Sequence, residues 1–175
     1  IGTVKRQDTL ENQAKIVYLG IGSNLGDRKK NIEIAKSYLS ENNLDFLSIS
    51  SFYETPSWPD PKKPKFLNIV IKAKFYHDPE SLLKICKKIE ILLGRKKGKK
   101  NDPRICDIDI IDFNKKVLKV KNKLTLPHKL MHKRNFVLIP FFEIQKEWYH
   151  PIIKKDLKSL ISSLSQADIR SIKQI

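Results

Sequence analysis

In the octapeptide Asp102-Pro103-Arg104-Ile105-Cys106-Asp107-Ile108-Asp109, two carboxylates stand one residue apart beside an arginine and a proline-stiffened turn. If this is a strand, alternate side chains share a face, so Asp107 and Asp109 project together, about 7 Å apart at Cα. Ile108 and Ile110 then face a core. Parallel carboxylates repel unless a cation lies between them, and a hard ion such as Mg2+ is held by one or two carboxylates plus substrate phosphates. Upstream, Arg95, Lys96, Lys97, Lys99 and Lys100, together with Arg104, supply the complementary charge for a polyphosphate. The pattern points to a Mg–nucleotide site. Asp-x-Asp alone is a weak signal, equally at home on a solvated strand face beside a solvated basic loop. Its weight comes from the rest of the chain.

Two other segments carry chemistry. Gly20-Ile21-Gly22-Ser23-Asn24-Leu25-Gly26 follows an apolar run and precedes a helical pattern. A dinucleotide-binding fingerprint fails on register, because its third glycine would fall on Leu25, and no Walker A pattern is present. Close backbone approach to a ligand and a purely structural turn explain this segment equally well. Further on, Lys123, His128 and Arg134 are cations close in sequence, a grouping that suits phosphate contact better than a core.

These residues need elements to hold them. Residues 15–21 read as a buried strand, and Asp27 as the N-cap of a helix with Ile32, Ala35 and Leu39 inside, ended by Asn42-Asn43. A strand over 44–53, a proline-dense loop and a strand over 66–75 suggest an antiparallel hairpin. Asp78-Pro79 starts a second helix with Leu82, Ile85, Cys86, Ile89 and Leu93 inside, closed by Gly94. The basic loop leads to a strand over 105–113 and a turn at Asn114-Lys115. A short strand near 116–120, an apolar stretch over 136–144 and a helix over 156–164 follow. The order β-α-β-β-α-β over 15–113 is ferredoxin-like, an α+β fold with an antiparallel sheet and both helices on one face. The C-terminal third should extend the sheet and cover its other face. The expected division is a polar N-terminal extension, 1–14, a single catalytic domain, 15–165, and a tail, 166–175.

One domain is the natural reading of 175 residues. Cys86 and Cys106 fit no zinc pattern and sit in apolar surroundings, as buried thiols of a reducing compartment do. The start is polar, with no signal-peptide apolar region, and no apolar run reaches membrane-spanning length. A soluble cytoplasmic protein is expected. The net charge of +16 would suit nucleic acid, yet the lysines are scattered among 19 acids and no RNA- or DNA-binding signature accompanies them. We read the charge as solvated surface with a phosphate-binding concentration at 95–104.

Taken together, the chain resembles the 6-hydroxymethyl-7,8-dihydropterin pyrophosphokinase family of folate biosynthesis. The matching segments, in family order, are Leu19-Gly20-Ile21-Gly22-Ser23-Asn24-Leu25-Gly26-Asp27, Ser51-Phe52-Tyr53-Glu54-Thr55-Pro56, Phe66-Leu67-Asn68, Ile89-Glu90 with Gly94-Arg95, Pro103-Arg104 through Asp107-Ile108-Asp109-Ile110, Leu124-Thr125-Leu126-Pro127-His128, and Arg134-Asn135-Phe136-Val137-Leu138. The resemblance implies transfer of the β,γ-pyrophosphoryl group of ATP to the pterin hydroxymethyl, releasing AMP. It makes Asp107 and Asp109 ligands of two Mg2+ ions and Arg95 and Arg104 catalytic phosphate contacts. Lys97 would assist them, and Glu90, Ile110, Lys123, Thr125, His128 and Arg134 would complete the ATP site. The pterin would lie between Phe66 and Phe136, read by Asn68, Thr55 and Pro56, beside Gly22 and Asn24, with Trp58 over it. The implied partners are ATP and a reduced pterin alcohol, bound by a monomer without membrane or nucleic acid.

The chain departs from the family at Asn101-Asp102, where many members have Trp-Gly, and its 95–104 linker is shorter. That removes an aromatic cover and leaves Trp58 to carry more of it. The rivals are a basic RNA-binding ferredoxin-like module, whose affinity would fall steeply with salt, and a binding-only descendant of the enzyme. Retention of both aspartates and both arginines argues against the latter.

Overall fold

β1 (Lys15–Ser23) is the axis of the sheet: its side chains are buried on both faces and its backbone pairs on both edges. In the computed structural model, which describes residues 13–96, 98 and 102–175, it lies antiparallel between β4 (Phe66–Phe75) and β5 (Asp107–Phe113). β4 is long enough to hold two shorter strands along its other edge. β2 (Asp45–Ile49) pairs with its second half and β3 (Tyr53–Thr55) with its first. The expected single strand over 44–53 is therefore two. Ser50 Oγ accepts from the Val70 N–H at 2.9 Å and the Ser51 N–H donates to the Glu143 carboxylate at 3.0 Å, so these groups leave the ladder.

α1 (Arg28–Glu41) and α2 (Pro79–Leu92) start as expected. Asp27 and Asp78 each accept from the backbone N–H three residues on, caps worth about 1 kcal/mol apiece. Ile32, Ala35, Leu39, Leu82 and Ile89 bury completely against Val17, Leu19, Ile21 and Ile108. Burying a Leu or Ile side chain is worth roughly 1.5–3 kcal/mol, so this stripe drives the docking of both helices. Cys86 and Cys106 are free thiols in the same core.

The opposite face is covered by α3 (Asn135–Ile144) and α4 (Leu157–Ser162), whose Val137, Leu138, Phe141 and Leu157 pack on Tyr18, Val70 and Ile111 with Trp148. The order β-α-β-β-α-β and both helices on one face stand as expected. The extension of the sheet differs from expectation. β6 (Leu118–Val120) and β7 (Leu124–Leu126) form their own hairpin, and the main sheet gains only β8 (Lys173–Gln174), which pairs with β3. The segment read as a tail thus contains α5 (Gln166–Ser171) and β8. A two-residue strand has no periodicity by which a sequence could announce it. No helix among the described residues is long and apolar enough to cross a membrane.

Candidate active site

Antiparallel pairing aligns one residue from each of four strands. Asp107 lies opposite Gly22, Gly22 opposite Asn68 and Asn68 opposite Tyr53, while Asp109 lies opposite Gly20. Directly paired residues share a face, so the glycines form a floor without side chains between the β5 carboxylates and the β4 amide. A cavity of about 760 Å³ stands over this floor, walled by the loops after β1, β3 and α2 and by the start of α3.

At one end are the carboxylates. Asp107 pairs with Arg95 at 2.9 Å and with Arg104 at 3.2 Å. Burial opposes its charge, but Arg104 and Arg95, with Lys87 behind them, prevail and hold its carboxyl below the ordinary range. Asp109 pairs with Arg134 at 3.2 Å and faces His128 Nε2 at 3.8 Å. Burial pushes His128 below the ordinary histidine range, against the pull of Asp109 and with the help of Arg134. Its Nδ1 accepts from the Leu130 N–H at 3.2 Å, which leaves the proton on Nε2, facing Asp109.

Glu90 lies beneath this end, 1% exposed. Its carboxylate accepts from the Ile108 N–H at 2.8 Å, pairs with Lys87 at 3.0 Å and contacts Arg95. Burial raises its pKa, an effect the Ile108 N–H and Lys87 oppose. Glu90 therefore orients Arg95 and β5 instead of presenting an open oxygen to the cavity.

At the other end Asn68 is 5% exposed and its amide donates to Thr55 Oγ1 at 3.0 Å, leaving the carbonyl end beside Gly22. Phe66 borders Gly22 on the same side. Across the cavity the Arg134 guanidinium carbon lies 5.4 Å from the ring centroids of both Trp58 and Phe136. Arg134 thus reaches from Asp109 to the aromatic wall.

Asn24 lies beside the cavity, behind its wall. It is buried, its amide donates to Ser57 Oγ and Pro64 O, and its Oδ1 accepts from the Arg104 N–H at 2.7 Å. Every polar group of that side chain is used to tie three loops together. Gly22, Thr55, Trp58, Phe66, Asn68, Arg95, Arg104, Asp107, Asp109, His128, Arg134 and Phe136 all reach the cavity wall. Pro56, Ile110, Lys123 and Thr125 do not: Ile110 is in the core, and Lys123 and Thr125 belong to the β6–β7 hairpin. Lys97 and Asn101 fall outside the described residues. Sequence reasoning missed Lys87 and Ser57, both on the wall. Lys87 was within reach, since it stands one helical turn before Glu90.

A model of the family described as 7,8-dihydro-6-hydroxymethylpterin-pyrophosphokinase (HPPK) matches residues 18–146. The chain is 42% identical over 142 residues to the 2-amino-4-hydroxy-6-hydroxymethyldihydropteridine pyrophosphokinase of Aquifex aeolicus, covering 81% of this chain and 88% of that one. The chain belongs to the HPPK family. Membership makes it an ATP-dependent pyrophosphokinase of the hydroxymethylpterin step in folate biosynthesis. HPPK domains also occur inside longer proteins. The chain is 32% identical to the folic acid synthesis protein fol1 of Pneumocystis carinii, covering 97% of this chain and 22% of that protein. It shares its fold with wild-type Plasmodium falciparum HPPK-DHPS crystallised with pteroate, at a TM-score of 0.70 and 18% identity, over 86% of this chain and 42% of that one.

Proposed function

We propose that the cavity receives Mg–ATP at its Asp107–Asp109 end and the reduced pterin alcohol at its Asn68–Phe136 end. The pterin hydroxyl attacks the β-phosphorus, giving the pterin diphosphate and AMP. The observation that carries this reading is the aligned row Asp107–Gly22–Asn68, with its open glycine floor joining the two ends of one cavity.

The donor set fits magnesium. Asp107 and Asp109 offer hard oxygens on one strand face and already attract cationic guanidinium groups. Among the described residues no third metal-binding side chain joins them, as expected for an ion that completes its shell with phosphate oxygens and water. The two carboxylates would hold two ions, which when bound neutralise phosphate charge and polarise the transferred group.

The chain's own residues do the rest. Arg95, Arg104 and Arg134, now on the carboxylates, are placed to turn to the phosphates, where their planar forks bind oxygens in pairs. Glu90 with Lys87 keeps Arg95 anchored at the wall. His128 offers its Nε2 proton to a phosphate oxygen. A flat heterocycle needs aromatic faces and a few fixed polar groups; Phe66, Phe136 and Trp58 supply the faces, and Asn68 with Thr55 the polar edge. Pyrophosphoryl transfer asks mainly for positioning and charge stabilisation, and the site contains both. Incubation with ATP, Mg2+ and the pterin alcohol should release AMP stoichiometrically; pterin-dependent ADP would refute the reading.

A further inference from the structure

The two walls of the heterocycle end are joined by a segment that touches neither wall's cavity face. Asn135, between Arg134 and Phe136 at the start of α3, is 8% exposed. Its amide donates to Asp168 O at 2.6 Å and to Ser171 Oγ at 3.1 Å, both in α5. Ser171 Oγ in turn donates to Asp168 O at 2.8 Å, and Ser165 caps the helix by accepting from the Asp168 N–H. Immediately beyond α5, Lys173 and Gln174 pair with Glu54 and Tyr53, and the Ile175 N–H donates to Phe52 O at 2.9 Å. β3 ends at Thr55, 2% exposed, which accepts from the Asn68 amide.

Hydrogen bonds and short stretches of backbone therefore connect the neighbour of Phe136, through residues 165–175, to the strand that orients Asn68. The far end of α3 is held to the same strand directly: Glu143 accepts from Tyr53 OH at 2.7 Å and from the Ser51 hydroxyl at 2.8 Å. At its near end, where Arg134 and Phe136 emerge, α3 reaches β3 through the 165–175 segment.

We propose that residues 165–175 are a positioning strap for the heterocycle slot and that Asn135 is the residue through which it acts. This rests on the reading that Phe136, Thr55 and Asn68 bind the pterin. A stacked ring with a fixed polar edge requires its two walls at a set spacing, and supporting hydrogen bonds behind the walls set it. The carboxylates on β5 lie at the other end of the row and Arg134 is also held there by Asp109, so the strap acts on the pterin more than on the nucleotide.

Steady-state kinetics on the full chain, read by AMP release, test this. The unmodified chain comes first; failure to form AMP overturns the reaction and the strap together. Asn135→Asp keeps the shape of the side chain and removes both donors. It should raise the pterin KM about tenfold while kcat and the ATP KM change by less than about twofold, the signature of lost binding at one subsite. Ser171→Ala, which removes one acceptor, should move the pterin KM the same way by less. An unchanged pterin KM in Asn135→Asp, or equal rises for both substrates, overturns the strap. If Asn135→Asp does not fold, Ser171→Ala decides: a selective rise in pterin KM supports the strap and any other result overturns it.

Discussion

Gly22 on β1 lies directly opposite Asn68 on β4, and a methyl group added at Gly22 would stand 2.8 Å from Asn68 Oδ1 and 3.3 Å from the Phe66 ring. The space above Gly22 is therefore part of the site, kept open by the lack of a side chain. Gly22→Ala should weaken pterin binding at least about tenfold, or ~1.4 kcal/mol, by displacing Asn68 and Phe66. Calorimetric titration with the pterin would check this, and Mg–nucleotide affinity should hold.

Asp107→Ala and Asp109→Ala should each lower kcat/KM by about a hundredfold, or ~3 kcal/mol, by removing a fixed oxygen from the charge-stabilising end of the cavity. Both side chains are partly exposed on the cavity face, so the variants should fold. Turnover near that of the unmodified chain would mean that the aspartates are a solvated strand face. Adding Mg2+ to either variant should restore little activity.

Glu90→Ala should behave differently. It leaves the buried Ile108 N–H without its acceptor and removes the shared partner of Lys87 and Arg95. The expected loss is about 3 kcal/mol of stability, with a raised ATP KM. Glu90→Gln can still accept from Ile108 and should recover much of the stability. Chemical denaturation of both variants separates the two contributions.

Asp112 provides a test by pH. A bulge at Ile111 turns it onto the Tyr18 face, where it is 1% exposed and its carboxylate has the Trp148 indole N–H as a neighbour outside close hydrogen-bond geometry. Burial raises its pKa, against the Lys115 N–H that donates to it and the nearby Trp148 indole. A carboxyl whose folded pKa exceeds its unfolded value favours folding fully below the unfolded value, and that contribution fades as pH rises through the window up to the folded value. Asp112→Asn should therefore raise the melting temperature at pH 7, and the advantage should vanish below about pH 4. A constant advantage at every pH would contradict the assigned cause.

Trp58 should report on ligand binding. It lies half-exposed against Arg134, whereas Trp148, the other tryptophan, is buried in the core between α3 and the sheet. As Arg134 turns to phosphate and a pterin reaches the aromatic wall, the emission of Trp58 should change. Trp58→Phe should abolish that change and raise the pterin KM several-fold, about 1 kcal/mol. A signal that persists in Trp58→Phe would place the perturbation at Trp148.

The sequence by itself determined the two helices on one face, the long strands and the shared face of the two carboxylates. Periodicity marked the buried stripes of α1 and α2, Asp27 and Asp78 marked their starts, and alternation put Asp107 and Asp109 on one face with Ile108 inside. These are local matters, decided by spacing and by side-chain and backbone groups a few residues apart. Only the tertiary structure decided the roles that depend on distant partners. The Asn24 side chain ties Ser57, Pro64 and Arg104 together behind the wall, a role that depends on loops far away in the chain. Glu90 proved to be a buried counter-ion, because the Ile108 N–H and Arg95 converge on it from other elements. The break at 50–52 depends on Glu143, and β8 exists only because β3 offers it an edge. Strand register set the open row Asp107–Gly22–Asn68, and register arises from pairing across the sheet, which the chain's linear order does not contain.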